Sequence, residues 1–351
     1  MSDLFAQISC FIQSLAAGPL PQPILTIIPS NRCLPAGSAG VNVQKDKCYL
    51  TLTVNELFLS KARKWWVEYQ PMVLFATSFV QGSTTVSLPA VVGPSLLAQP
   101  GQQLPQGMLL NDLEVAGPIP YRGGPIIINV LLYRLKHSDH ARDLLQMVEG
   151  VSKAIGPAGD LGMLSKMGST LLDGLGRLLG LGGTEPIMGQ RFSLSPVGPG
   201  GIKTFYAALI DPGTRTTPDT LSVNQGRLQV ANGSDTTPFI SDDYVLYSLL
   251  SSLRRTDEST LPFYPLFQRA KQDAYRGGED NWKAAKATFS EVWQQMMASP
   301  DLIPEQAVEL FEHWKEELLV EKKRGESNRM LSTGSEAVGK TENPAAKILD
   351  L

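Results

Sequence analysis

His137 and His140 stand among carboxylates in the run HSDHARD, with Asp139 and Asp143 beside them. Imidazoles interleaved with carboxylates are the residue types of a metal ligand set, or of a general base oriented by an acid. A helix start explains the same letters, because short polar side chains cap first-turn N–H groups and carboxylates favour the positive end of the helix dipole. His313, in FEHWKEE, lacks the HExxH order that sets two imidazoles and a base on one helix face. Asp112 and Glu114 alternate in NDLEV and would share one face of a strand, where paired carboxylates orient a cation or do acid–base work. A hydrolase or metal-dependent enzyme would have to be assembled from Asp112, Glu114 and His137 or His140, brought together only by folding.

Other candidates are weaker. Cys10, Cys33 and Cys48 are neither closely paired nor accompanied by a histidine cluster, which predicts reduced thiols and no structural zinc or disulfide framework. GPIPYRGGP lacks the lysine–serine/threonine ending of a P-loop and the spaced glycines of a dinucleotide fingerprint, so it reads as a rigid turn before a strand. In KARKWWVEY, Lys61, Arg63 and Lys64 lie beside Trp65 and Trp66, types that stack on bases or sit at a membrane interface. The same letters mark a strand or helix end whose tryptophans enter a core. No residue set identifies a catalytic centre, a metal site or a cofactor.

The elements that would position these residues belong to a chain of 351 residues, 42% hydrophobic, with a formal charge of −3. That length supports two domains, and the balanced charge makes nucleic acid an unfavoured partner. An acidic residue in the opening MSDLF, where a secretion signal wants basic ones, points to the cytoplasm. No apolar run reaches the roughly 18 residues needed to span a bilayer.

Strand composition fills 48–60, 71–80, 84–92 and 120–135, without long amphipathic helices between. It returns in RFSLS, at 202–210 and at 221–230, where Asn224-Gln225-Gly226 predicts a turn between two short strands. The class expected is α+β: an antiparallel β-sandwich or barrel-like body, residues 1–241, with a helical hairpin inserted at 139–181. A C-terminal helical region is predicted over 242–325, beginning with YVLYSLLSSLRR capped by Asp242 and Asp243, and a disordered tail over 326–351.

Within the hairpin, GSTLLDGLGRLLGLGG lines up Leu171, Leu175 and Leu178 on one helix face but interrupts them with Gly174, Gly176 and Gly180. Each glycine costs about 1 kcal/mol against alanine in a helix, so close packing or a change of shape is implied. Packing inside the hairpin explains the pattern; contact with a partner helix, or conditional association with a membrane after release, is the sharper reading. The function expected is therefore that of a non-enzymatic interaction or adaptor protein. Its helical region and tail, ending in Ile348, Leu349 and Leu351, would bind another protein. A regulated membrane-perturbing effector acting through 139–183 is the alternative.

Overall fold

A computed structural model describes residues 23–60, 63–64, 67–81, 84–97, 107–155, 161–182, 184–198, 200–211, 213, 217–232 and 235–336. Cys10, Lys61, the pair Trp65–Trp66, and Ile348, Leu349 and Leu351 lie outside the described residues. The chain divides after Arg254 into a body and a helical unit that starts at Arg255.

In the body, β1 (Ile24–Ile28) and β2 (Cys33–Leu34) precede β3 (Tyr49–Phe58), β4 (Arg63–Lys64), β5 (Val67–Gln81) and β6 (Thr84–Val92). The short α1 (Pro94–Leu97) leads to β7 (Met108–Pro120), β8 (Ile126–Lys136) and the helices α2 (Asp139–Ile155) and α3 (Leu161–Leu179). Next come β9 (Thr184–Leu194), β10 (Phe205–Ile210), β11 (Leu221–Asn224), β12 (Arg227–Asn232), β13 (Asp235–Pro238) and β14 (Tyr244–Ser252).

A central sheet runs β1-β10-β14-β3-β7, antiparallel throughout. A second antiparallel sheet is built on β5-β8-β9, with β6 and the short β4 also pairing β5. The third, β13-β12-β11-β2, has one parallel pairing, between β11 and β2. None of the sheets closes into a barrel among the described residues. One apolar core joins the central and second sheets and continues into the hairpin, where Leu145, Val148, Leu171 and Leu175 belong to it. Another lies between the opposite face of the central sheet and the third sheet, built from Tyr206, Ala208, Leu228, Tyr244 and Leu246 among others. The body is thus layered: third sheet, central sheet, second sheet, helical hairpin.

This layering corrects the expected start of the helical region. YVLYSLLSS is no helix: it is β14, the middle strand of the central sheet. Val245, Tyr247 and Leu249 enter one core while Tyr244 and Leu246 enter the other. A strand buried on both faces loses its polar alternation, and its apolar run then cannot be told from a buried helix by period. Asp243 caps nothing there; its Oδ1 accepts the Ser60 N–H and the Ser60 hydroxyl, both at 2.6 Å.

The hairpin forms where amphipathic period predicts it, as α2 and α3. Leu171, Leu175 and Leu178 are each 0% exposed. At about 1.5–3 kcal/mol for each fully buried leucine, they make α3 a major contributor to this layer. A β-carbon on Gly174 would lie 2.6 Å from Val148 Cγ2, so this glycine is what lets α3 approach α2. Gly176 faces open space.

The helical unit contains α4 (Tyr264–Arg276), α5 (Glu279–Ala298) and α6 (Pro304–Glu336). Its core centres on Trp314, stacked on Phe267 with ring centroids 4.2 Å apart. The loop before α4 is fixed by buried Arg255, whose Nε and Nη2 donate to the two Asp257 carboxylate oxygens at 2.7 and 2.6 Å. Pro304 opens α6, as its fixed φ suits a first turn. The helix passes the expected limit at 325, so residues 326–336, assigned to the tail by composition, are helical. Gly325 on α6 packs against the backbone carbonyls of Ala274 and Tyr275 at the end of α4, an approach that continued helix allows. Among the described residues no helix is long and apolar enough to cross a membrane.

Candidate functional site

Among the described residues, the carboxyl whose pKa burial raises furthest is Glu56, on β3. A bulge at Asn55 aims it: Leu246 pairs Glu56 while Tyr247 pairs Val54, and on the other edge Leu113 pairs Val54 while Leu110 pairs Glu56. The extra residue reverses the parity of the strand. Leu50, Leu52 and Val54 face the second sheet before it, Leu57 does so after it, and Phe58 faces the third sheet. Without the bulge Glu56 would follow Val54 into an apolar core; with it the carboxyl turns to the third sheet.

There Glu56 Oε2 accepts the Leu228 N–H at 2.7 Å. Arg227 Nη1 donates to the Asn55 carbonyl at 2.6 Å and reaches Asp112 Oδ1 at 3.3 Å, and Asn55 Nδ2 donates to the same oxygen at 3.0 Å. Tyr244 lies beside the carboxyl, although its hydroxyl closes no hydrogen bond of ordinary geometry. Burial raises the Glu56 pKa to about 7, against the Leu228 N–H, Tyr244 and the Arg227 charge, which lower it. Asn224 and Arg227 are joined by the tight turn expected from the sequence, with φ of 49° at Gln225 and 73° at Gly226, as the mirror-image hairpin turn requires. Chemically the cluster is a proton-holding clamp between the central sheet and the β11–β12 hairpin. At 1% exposure Glu56 offers no face to a dissolved substrate.

The residues singled out for chemistry are dispersed. Asp112 joins this clamp, while Glu114 sits two residues further along β7, opposite Thr53. His137 Nδ1 lies 2.6 Å from Gln70 Nε2, and His140 is exposed in the first turn of α2. Asp139 and Asp143 both pair with Arg142, at 3.0 and 3.7 Å. His313 lies on α6, 3.2 Å from Glu317. Among the described residues no three of His, Cys, Asp and Glu form a group able to hold a metal. Cys33 and Cys48 are buried free thiols; burial pushes Cys33 up to about 11 and raises Cys48, so neither is a ready nucleophile.

Sequence reasoning missed two further polar features. Glu149, on the inward face of α2, accepts the Ser95 hydroxyl of α1, and burial raises its pKa against bonds from Ser95, Gly93 and Leu96. A polar pocket of about 320 Å³ at the strand ends is lined by Ser60, Arg134, Asp211, Asp242 and Asp243. Asp243 accepts two hydrogen bonds from Ser60, Asp211 accepts the Gly213 N–H at 2.7 Å, Asp242 accepts the Ser241 hydroxyl at 2.9 Å, and Arg134 pairs through Nη2 with Glu185, outside the pocket, at 2.7 Å while its buried Nε has no hydrogen-bond partner.

On the helical unit, α6 buries Ala307, Leu310, Trp314 and Leu318. Its opposite side carries Val308, Leu319 and Met330, exposed at 48, 42 and 74%. Their eleven-residue spacing is about three helical turns, which stacks them along one line. No family model, curated protein or solved structure matches the chain.

Proposed function

We propose that the chain is a non-enzymatic cytoplasmic interaction protein whose helical unit binds an apolar helix of a protein partner, assisted by the segment ending in Ile348, Leu349 and Leu351. The observation that supports this is the line of Val308, Leu319 and Met330 on a helix whose other face is already committed to the unit's own core. A helix laid into an apolar groove is held by anchors on one face; here they recur every third turn, about 16 Å apart, with charged side chains such as Lys315 and Lys322 between them. The test compares the full chain with a Val308→Glu, Leu319→Glu, Met330→Glu variant and with a chain ending at residue 336. Saturable partner capture should fall at least about tenfold in the triple variant, the equivalent of roughly 1.4 kcal/mol, with its circular dichroism unchanged, and should weaken in the truncation. Equal capture by all three rejects the reading.

A second reading rests on the hairpin, whose polar contacts with the body among the described residues include Glu149 with Ser95 and Ser152 with the Val91 N–H at 3.0 Å. Released, residues 161–181 would lie along a bilayer as an amphipathic element. Vesicle leakage measured with the full chain, the isolated hairpin, and a variant with Leu171, Leu175 and Leu178 changed to Gln decides it; no leakage from either wild-type form rejects it.

A further inference from the structure

The polar cavity of about 320 Å³ is built from the ends of two sheets. Ser60 follows β3, Asp211 follows β10 and Asp243 precedes β14, three neighbouring strands of the central sheet. Arg134 of β8 and Pro186 and Ile187 of β9 bring the second sheet to the same space. Pairing slips there: Tyr133 pairs Pro186 and Leu132 pairs Met188, so Ile187 is an extra residue on β9, the kind of bulge that re-aims side chains beside a site. Charge in the lining is one-sided. Arg134 is committed to Glu185 at 2.7 Å and to the Tyr69 ring, 4.9 Å away, whereas Asp211, Asp242 and Asp243 all border the cavity. Asp243 is 5% exposed, yet no cation lies within ion-pair distance of it or of Asp211 among the described residues. A buried carboxylate normally has one beside it. Both bonds from Ser60 land on Asp243 Oδ1, and the Gly213 N–H lands on Asp211 Oδ1, which orients each group and leaves it the acceptor capacity of a second oxygen.

We infer that this cavity binds a small primary alkylammonium cation, whose nitrogen donates to Asp211 and Asp243 while its carbon chain lies along Pro186 and Ile187. An ammonium has three donors and no acceptor, so it matches oriented carboxylates that have acceptor capacity to spare. The apolar wall favours an alkyl cation over a hydrated metal ion, and among the described residues no three of His, Cys, Asp and Glu are grouped to hold a metal. The same ammonium is carried by free amines and by the lysine side chains of peptides.

The experiment titrates the full chain near neutral pH with n-butylamine and with 1-butanol, its neutral counterpart. The readout is the backbone amide NMR signals of Ser60 and Gly213, whose N–H groups bond the two carboxylates. Butylamine should shift both saturably and bind at least about tenfold more tightly than butanol, as charge-assisted hydrogen bonds allow. Asp211→Asn and Asp243→Asn each keep an oxygen for the internal donor and should each weaken the amine at least about fivefold; Asp143→Asn, exposed on α2, should change nothing. Should Asp243→Asn fail to fold, Asp211→Asn decides alone. Nα-acetyl-lysine N-methylamide separates the sources: binding tighter than butylamine marks a peptide lysine, and weaker binding marks a free amine. Signals unmoved by butylamine, equal affinity for butanol, or amine binding undiminished in the Asn variants overturns the proposal. So does calcium chloride shifting the same signals at lower concentration than the amine, which would assign the cavity to an inorganic cation.

Discussion

Gly93 and Glu149 meet so closely that a β-carbon on the glycine would lie 2.7 Å from the carboxyl Oε1 and 3.0 Å from Leu145 Cδ2. The contact joins the end of β6 to the inward face of α2, where Ser95 already holds the same carboxyl. The missing side chain is thus a condition for seating the hairpin.

Gly93→Ala should destabilise the body by about 1–3 kcal/mol, the usual cost of overfilling a packed site. Urea unfolding checks this, with an unchanged m-value marking a simple loss of stability. A variant as stable as the wild type would mean that the Glu149 side chain moves aside freely.

Glu56 makes stability depend on pH in an unusual direction. Burial lifts its pKa from 4.5 to about 7 in the native chain, so the folded state keeps a proton that the unfolded state has released. Its stabilising contribution is complete below the unfolded pKa and falls as pH rises toward the folded one, by up to about 3 kcal/mol. Comparing wild type with Glu56→Gln from pH 5 to 8 isolates the effect, and the difference should shift against the wild type as pH rises. A difference independent of pH would show that Glu56 titrates normally.

Two glycines of α3 should respond oppositely to the same change. Gly174→Ala drives a methyl group into Val148 and Met147 and should cost about 1–3 kcal/mol. Gly176→Ala meets open space and should stabilise by up to about 1 kcal/mol through helix propensity. Thermal unfolding of the two variants side by side checks the contrast, and equal effects would contradict the described α2–α3 packing.

The hairpin was legible because only one face of each helix is apolar, and the β11–β12 turn because Asn224-Gln225-Gly226 has the chemistry its positive φ angles demand. β14 was not legible, since two cores claim its two faces and remove the alternation that marks a strand. Residues 326–336 misled by composition: their polar, small-residue letters read as a disordered tail, whereas α6 continues through Gly325, the point at which it crosses the end of α4. The Glu56 clamp escaped for another reason. Asn55-Glu56 inside CYLTLTVNELFLS was a visible interruption of an apolar strand, but the bulge that gives it meaning depends on pairing with strands about 60 and 190 residues away.

The place of β14 also sets an order of events during synthesis. It lies between β10 and β3, so the central sheet stays divided until residues 244–252 have been made. At translation rates of about 5–20 residues per second, β3, already able to pair with β7, waits roughly ten seconds or more for β14 with its other edge open. The pairs β5–β6 and β5–β8, by contrast, close soon after each strand emerges. A ribosome stalled before residue 244 would therefore display a half-built sandwich with an open seam, the species on which chaperones and aggregation compete.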